Sequence, residues 1–304
     1  MSESTPSVTA LISAFTRAHH ARNDTPRIFD DSLAAQLFAP EEWGTLSQHL
    51  GSAVAFFAPE EWVPGMDPSV ALARSMRALG ASITLSRARY TESLLLASLP
   101  QGISQYVILG AGLDTFAFRC PESASHVMVF SVDHPVTQAD MRRRVARAGW
   151  TVPSLLRFVP IDFSRDALED VLREAGFDSR VPSFFSWLGV TYYLSRDSVL
   201  RTLRSIATVA ARGSTVVFDH LDTDAFVPER ASARAQRLLA AVRQAGEPMR
   251  TGLDAAELPA LLRAVGLTAR EQLTPADIQE RYFAGRTDGY RAFDHCHFAA
   301  AVVA

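Results

Sequence analysis

Two glycines with one residue between them, Gly110 and Gly112, close the apolar run Gln105-Tyr-Val-Ile-Leu109, and an acid, Asp114, follows two residues later. Glycine has no Cβ, so the chain can take left-handed dihedrals there, and with only Ala111 between them a ligand can lie almost against the backbone. A second apolar run, from Val127 to Val132, ends on Asp133. That is about twenty residues beyond the glycines, where nucleotide-binding α/β folds place the carboxylate that holds a ribose. Turn and carboxylate together point to an adenosine-bearing ligand. Thr115 stands where a dinucleotide fingerprint has its third glycine or alanine, and Asp114 sits where a pyrophosphate would have to approach. A carboxylate there repels phosphate and suits an ammonium, so the turn favours S-adenosylmethionine over NAD.

Other residues have chemistry of their own. His220 ends the apolar run from Ser214 to Asp219 and is the best-placed candidate for a general base. Leu188 and Tyr193 lie at and just beyond the end of the run from Ser183, where open α/β sheets bind their ligands, and Tyr193 joins His220 as a candidate catalytic residue. His134, directly after Asp133, is suited to shaping the cofactor turn. Asp162, after the run Leu156 to Ile161, is placed to cap a helix over 164–175. Arg87 and Arg89 read, from spacing alone, as surface residues of a helix over 81–99. His295 and His297 alternate along the last apolar run, so their side chains are expected on opposite faces, which argues against a shared metal site.

Four segments, Arg87-Ala-Arg-Tyr-Thr-Glu92, Leu109-Gly-Ala-Gly-Leu-Asp-Thr115, Val132-Asp-His-Pro135 and Trp187-Leu-Gly-Val-Thr-Tyr-Tyr-Leu194, occur in this order. Their succession resembles the motifs of the leucine carboxyl methyltransferase family, a branch of the class I S-adenosylmethionine-dependent methyltransferases that includes many bacterial O-methyltransferases of secondary metabolism. The resemblance implies that an arginine of the R-x-R-Y motif reaches the cofactor carboxylate, with Arg89 favoured and Arg87 close behind. It also implies that Asp162 accepts from the adenine amine while the Phe163 backbone addresses the ring. The chain departs from the family pattern at Ser131, where many members have glutamate, and at Leu188, where a Trp-Glu-Gly is common.

The elements that must position these residues follow from the pattern around them. Apolar runs alternating with helical stretches through residues 103–304 are the doubly wound α/β arrangement. With the resemblance, the expected fold is a Rossmann-like class I methyltransferase sheet over 81–304, with an N-terminal helical cap over 1–80 and a lid-like helical insertion over 222–250. Ala39-Pro-Glu-Glu-Trp43 recurs as Ala58-Pro-Glu-Glu-Trp62, and both read as helix starts, because proline suits the first helical position and carboxylates favour the positive end of the dipole. Trp43, Trp62, Phe56 and Phe57 are candidates for a pocket or for ordinary core.

At 304 residues, 48% of them hydrophobic, the chain can bury one large core or a core and a cap. A net charge of −3 gives no support to a nucleic-acid partner, and Arg142 to Arg144 read as a solvated helix face. The 2 cysteines, Cys120 and Cys296, provide neither a disulfide framework nor a structural zinc site, so a reduced, cytoplasmic setting is expected. Met1 to Ala10 read as a tail without signal-peptide features, and no apolar run approaches the roughly 20 residues that cross a bilayer. The expected activity is S-adenosylmethionine-dependent O-methylation of a carboxylate or hydroxyl on a small, hydrophobic, natural-product-like acceptor. The alternatives are a non-methylating reaction in the same cofactor site or an NAD-dependent oxidoreductase. Oligomeric state is not legible.

Overall fold

The computed structural model describes residues 7–163 and 165–304. Its frame is a seven-stranded sheet: β1 (Gln105–Leu109), β2 (Met128–Asp133), β3 (Leu156–Pro160), β4 (Ser183–Trp187), β5 (Thr215–Leu221), β6 (Leu267–Leu273) and β7 (Cys296–Val303). The strand order is β3-β2-β1-β4-β5-β7-β6. Neighbours from β3 to β5 pair parallel, whereas β7 slots between β5 and β6 antiparallel to both. β1 and β4 are buried at every position. That explains why they read as unbroken apolar runs, since a central parallel strand is covered on both faces.

Helices cover the two faces. Leu85 and Leu95 of helix Ala81–Ser98, with Met141 and Val145 of helix Pro135–Arg147, pack with Ile108 and Val129. On the other face Leu168, Val199, Leu203 and Leu262 pack with Val107, Leu109 and Phe130. The chain winds one way from β1 to β3 and the other way from β4 onward, so a crevice opens beyond the carboxyl ends of β1 and β4.

The N-terminal helices Val8–Asn23, Pro40–Ser52 and Pro68–Leu79 share the first of these cores. Residues 7–10, expected within a tail, instead begin a helix: the Ser7 side chain accepts from Ala10 N, and Met1 to Pro6 lie outside the described residues. The helix expected at Pro40 forms, but the one expected at Pro59 is a turn. Pro64 disfavours helix at Val63, and Gly65 with φ +76° turns the chain away. Phe57 is buried and Trp43 packs 4.5 Å from Phe15, whereas Phe56 and Trp62 are exposed. Arg144 is also not on a solvated face: it is buried, donates to Leu37 O (2.8 Å), pairs with Asp140 and Glu42, and so ties helix Pro135–Arg147 to the N-terminal helices.

Between β5 and β6 lie a 3-10 turn, Thr223–Phe226, and helix Ala233–Gln244. The buried Arg234 of that helix donates to Ala78 O, Ala292 O and Ser82 Oγ, each at 3.0 Å. The helix expected over 164–175 starts only at Leu168 with Ala167 as its N-cap, so Asp162 does not cap it; Ser164 lies outside the described residues. Among the described residues no helix is long and apolar enough to cross a membrane.

Candidate active site

The glycine turn sits at the carboxyl end of β1 and is built to admit no side chain. Gly110 and Gly112 have φ of +68° and +55°. A Cβ on Gly110 would lie 2.5 Å from Val190 Cγ2, and one on Gly112 would lie 3.0 Å from Ala10 Cβ. Gly110 N and Ala111 N both donate to Val132 O at the end of β2, at 2.9 and 3.1 Å. One residue on, Asp133 Oδ2 accepts from Gly112 N (2.5 Å) and Oδ1 accepts from His134 N (2.6 Å). Burial pushes the Asp133 carboxyl up despite these two donors. The sequence-predicted turn and carboxylate therefore meet directly, and the carboxylate keeps further lone pairs for hydroxyl donors.

Around this pair the neighbouring strand ends converge. Ile161 N donates to Asp133 O at 2.9 Å, which brings half-buried Asp162 and Phe163 beside it. His134 Nδ1 accepts from Val136 N (3.4 Å), so its side chain caps helix Pro135–Arg147. Leu188 is half-buried against the core on the turn side of the sheet.

Arg87 and Arg89 part company. Arg89 is exposed, near enough to Tyr282 for its charge to act on that phenol. Arg87 points inward, and its Nη1 donates to Asp219 Oδ2 and to the Tyr192 hydroxyl, both at 2.9 Å. Burial works most strongly against its charge, but Asp219 and Tyr192 together outweigh it and the guanidinium stays ionised.

Asp114 and three histidines make contacts of their own. Asp114 is tied to the turn by its own backbone neighbours: its Oδ1 accepts from Phe116 N (2.7 Å), the first residue of the short helix Phe116–Arg119. Burial pushes its carboxyl up, opposed by Arg119 and Arg17 nearby. His220 is buried on the opposite sheet face from Asp219, stacked on His297 with ring centroids 5.2 Å apart. Its Nδ1 lies 3.2 Å from Leu221 O, while its Nε2 has no partner among the described residues. Burial, then His297, holds it down to about 4. His295 and His297, expected to diverge, both reach Asp222, at 2.9 and 3.4 Å, because β7 begins only at Cys296 and His295 lies before the strand alternation sets in.

Tyr193 is half-buried and pushed up to about 12, chiefly by burial. It bonds to Thr9, whose N and Oγ1 both donate to Glu247 Oε2, at 3.2 and 2.6 Å. Thr9 and Glu247 were not singled out from the sequence, nor was Arg17, which donates to Leu113 O at 2.7 Å and pairs with Asp31 at 2.8 Å. Asp219 had a legible signal: it is an acid near the carboxyl end of β5, two residues before Leu221, as Asp133 is the acid at the end of β2.

A turn bracketed by two glycines, a carboxylate at the end of β2 and an inward arginine fit the ribose and amino-acid ends of S-adenosylmethionine. Comparison with known proteins agrees. Residues 10–207 match the family described as leucine carboxyl methyltransferase. YktD of Bacillus subtilis (strain 168), provisionally named an S-adenosyl-L-methionine-dependent methyltransferase, is 38% identical over 303 residues, which cover 99% of each chain. A similarly named Parafrankia relative is 32% identical over 217 residues, 69% of this chain and 62% of its own. A relative from Mycolicibacterium smegmatis matches over 45% of either chain, at 36% identity. A solved DUF574-family protein of Streptomyces avermitilis shares the fold, with a TM-score of 0.54 over 85% of this chain and 97% of its own, at 14% identity. The cofactor is S-adenosyl-L-methionine, and the chain belongs to the leucine carboxyl methyltransferase family of methyltransferases.

Proposed function

We propose that the protein is an O-methyltransferase whose acceptor is a carboxylate or hydroxyl of a small, hydrophobic, natural-product-like molecule, with the carboxylate the better fit. The observation that supports the carboxylate is the state of the two candidate bases. The Tyr193 hydroxyl is pushed up to about 12, and His220 is held down to about 4 on the far face of the sheet. Neither matches a general base working near neutral pH. A carboxylate is already ionised and needs none. The hydroxyl reading keeps one observation in its favour: with Nδ1–H directed to Leu221 O, His220 leaves Nε2 as a free acceptor.

The cofactor supplies an activated methyl on a sulfonium, transferred by in-line displacement, so the protein's contribution is proximity and alignment. In this reading Asp133 holds the ribose hydroxyls, Asp162 and the Phe163 backbone address the adenine, and Arg87 binds the carboxylate of the amino-acid end. Gly110, Ala111 and Gly112 form the turn beside the cofactor, the two glycines leaving room for Val190 and Ala10 to pack against it. Leu188 and Tyr193 wall the reacting end, and the Thr9 to Glu247 contact keeps water out. Asp114 and His134 support the site from outside it, and exposed Arg89 takes no part in it.

The test is incubation with S-adenosylmethionine and a panel of hydrophobic carboxylic acids, phenols and amines, read by mass spectrometry. The expected product is a methyl ester, cleaved by mild alkali, with turnover retained in His220→Asn. Methylation of amines alone would overturn the O-methyl assignment, and phenol methylation abolished in His220→Asn would favour the hydroxyl reading.

A further inference from the structure

At the carboxyl end of β5 one wholly buried carboxylate is divided between two partners. Asp219 Oδ1 accepts from Gly189 N at 2.6 Å, and Oδ2 accepts from Arg87 Nη1 at 2.9 Å. The same Nη1 donates to the Tyr192 hydroxyl at 2.9 Å, and Thr191 Oγ1 donates to Asp219 O at 2.7 Å. The guanidinium lies against Gly189: a Cβ there would be 2.6 Å from Nη2 and 2.9 Å from Nη1. Gly189 leads directly into Val190, which fills the space beside Gly110, so arginine, loop and glycine turn are in continuous contact.

Both hydrogen bonds of Arg87 use Nη1; Nη2 and Nε carry none to a described residue, although the side chain is only 12% exposed. A guanidinium offers five donors in a rigid fork that matches a carboxylate two bonds at a time. Held by one nitrogen and left open along the opposite edge, it is preorganised for such a ligand.

We propose that Asp219 is a positioning residue for the cofactor. It fixes Arg87 through Nη1 so that the Nη2–Nε edge meets the carboxylate of the amino-acid end, and with its other oxygen it sets the Gly189 loop against that guanidinium. The Asp219 charge also balances that of Arg87, which suits a zwitterionic amino-acid group and disfavours a phosphate. The proposal rests on the cofactor assignment above and goes beyond it by placing the orienting group on β5.

The test compares two ligands by calorimetry: S-adenosylhomocysteine, and 5′-methylthioadenosine, which shares the nucleoside but lacks the amino-acid end. Wild type is expected to bind both. Asp219→Asn is expected to weaken S-adenosylhomocysteine about tenfold or more while leaving methylthioadenosine within about twofold, since only the charge-assisted arginine contact is misaligned. Methylthioadenosine binding doubles as the folding control. Should Asp219→Asn not fold, Asp219→Glu, which keeps the charge but displaces it by one methylene, is expected to show the same selective loss. Equal weakening of both ligands, or of neither, overturns the positioning role while leaving the cofactor assignment standing. A wild type that binds neither overturns both.

Discussion

Gly110 and Gly112 cannot carry a side chain, and their neighbours explain why. Gly110→Ala must strain a left-handed φ of +68° and push Val190 aside from 2.5 Å, so we expect about 1–3 kcal/mol of destabilisation and a larger loss of cofactor affinity, read by urea unfolding and calorimetry. His220 yields a pH prediction. Its folded value of about 4 lies below the 6.5 of an ordinary histidine, so between those limits the unfolded chain takes up a proton that the fold refuses. Its contribution to stability therefore falls as pH drops from 6.5 to 4, by up to about 3 kcal/mol. His297, Asp219 and Asp222 act on the same ring. Comparing wild type with His220→Asn across that window isolates the effect, and the variant is expected to show the flatter profile. At this scale legibility depended on distance along the chain. Asp133 could be read because it ends the strand next after the glycines, whereas Arg87 and Asp219 are 132 residues apart and meet only once the sheet has formed.

Helix Val8–Asn23 is the element whose role the sequence left most open. Its start is bound to Glu247, its Ala10 lies against Gly112, and its Arg17 holds Leu113 O, so it covers the glycine turn. Glu247→Ala removes two bonds from Thr9, and faster amide exchange is expected over the first turn of this helix while β1 and β4 stay protected. Arg144 gives a second test. Glu42→Ala leaves its buried guanidinium with Asp140 as the remaining ionic partner beside Leu37 O, an expected cost of about 1–3 kcal/mol in urea unfolding, whereas removal of exposed Glu174 should change little. A helix-start pattern could not forecast these contacts: the Pro40 segment forms its helix and the Pro59 segment, with identical residues, does not, because Pro64 and Gly65 follow only the second.

In the whole molecule, strand positions were legible because buried parallel strands leave long apolar runs between glycine and proline punctuation. Their spatial order was not, and neither was the insertion of β7 between β5 and β6, since an antiparallel strand in the core has the same composition as a parallel one. Sheet order is nevertheless what brings the candidate residues together: it sets the ends of β1, β2 and β3 side by side and those of β4 and β5 beside them, which the proposed reading assigns to the nucleoside and to the amino-acid end and the acceptor. The central claim is that this edge holds S-adenosylmethionine. The direct measurement is calorimetric titration with S-adenosylmethionine, S-adenosylhomocysteine and NAD, on wild type and Asp133→Ala. The account predicts micromolar binding of the first two, lost in Asp133→Ala, and none of NAD; binding of NAD, or sulfonium and thioether binding untouched by Asp133→Ala, would contradict it.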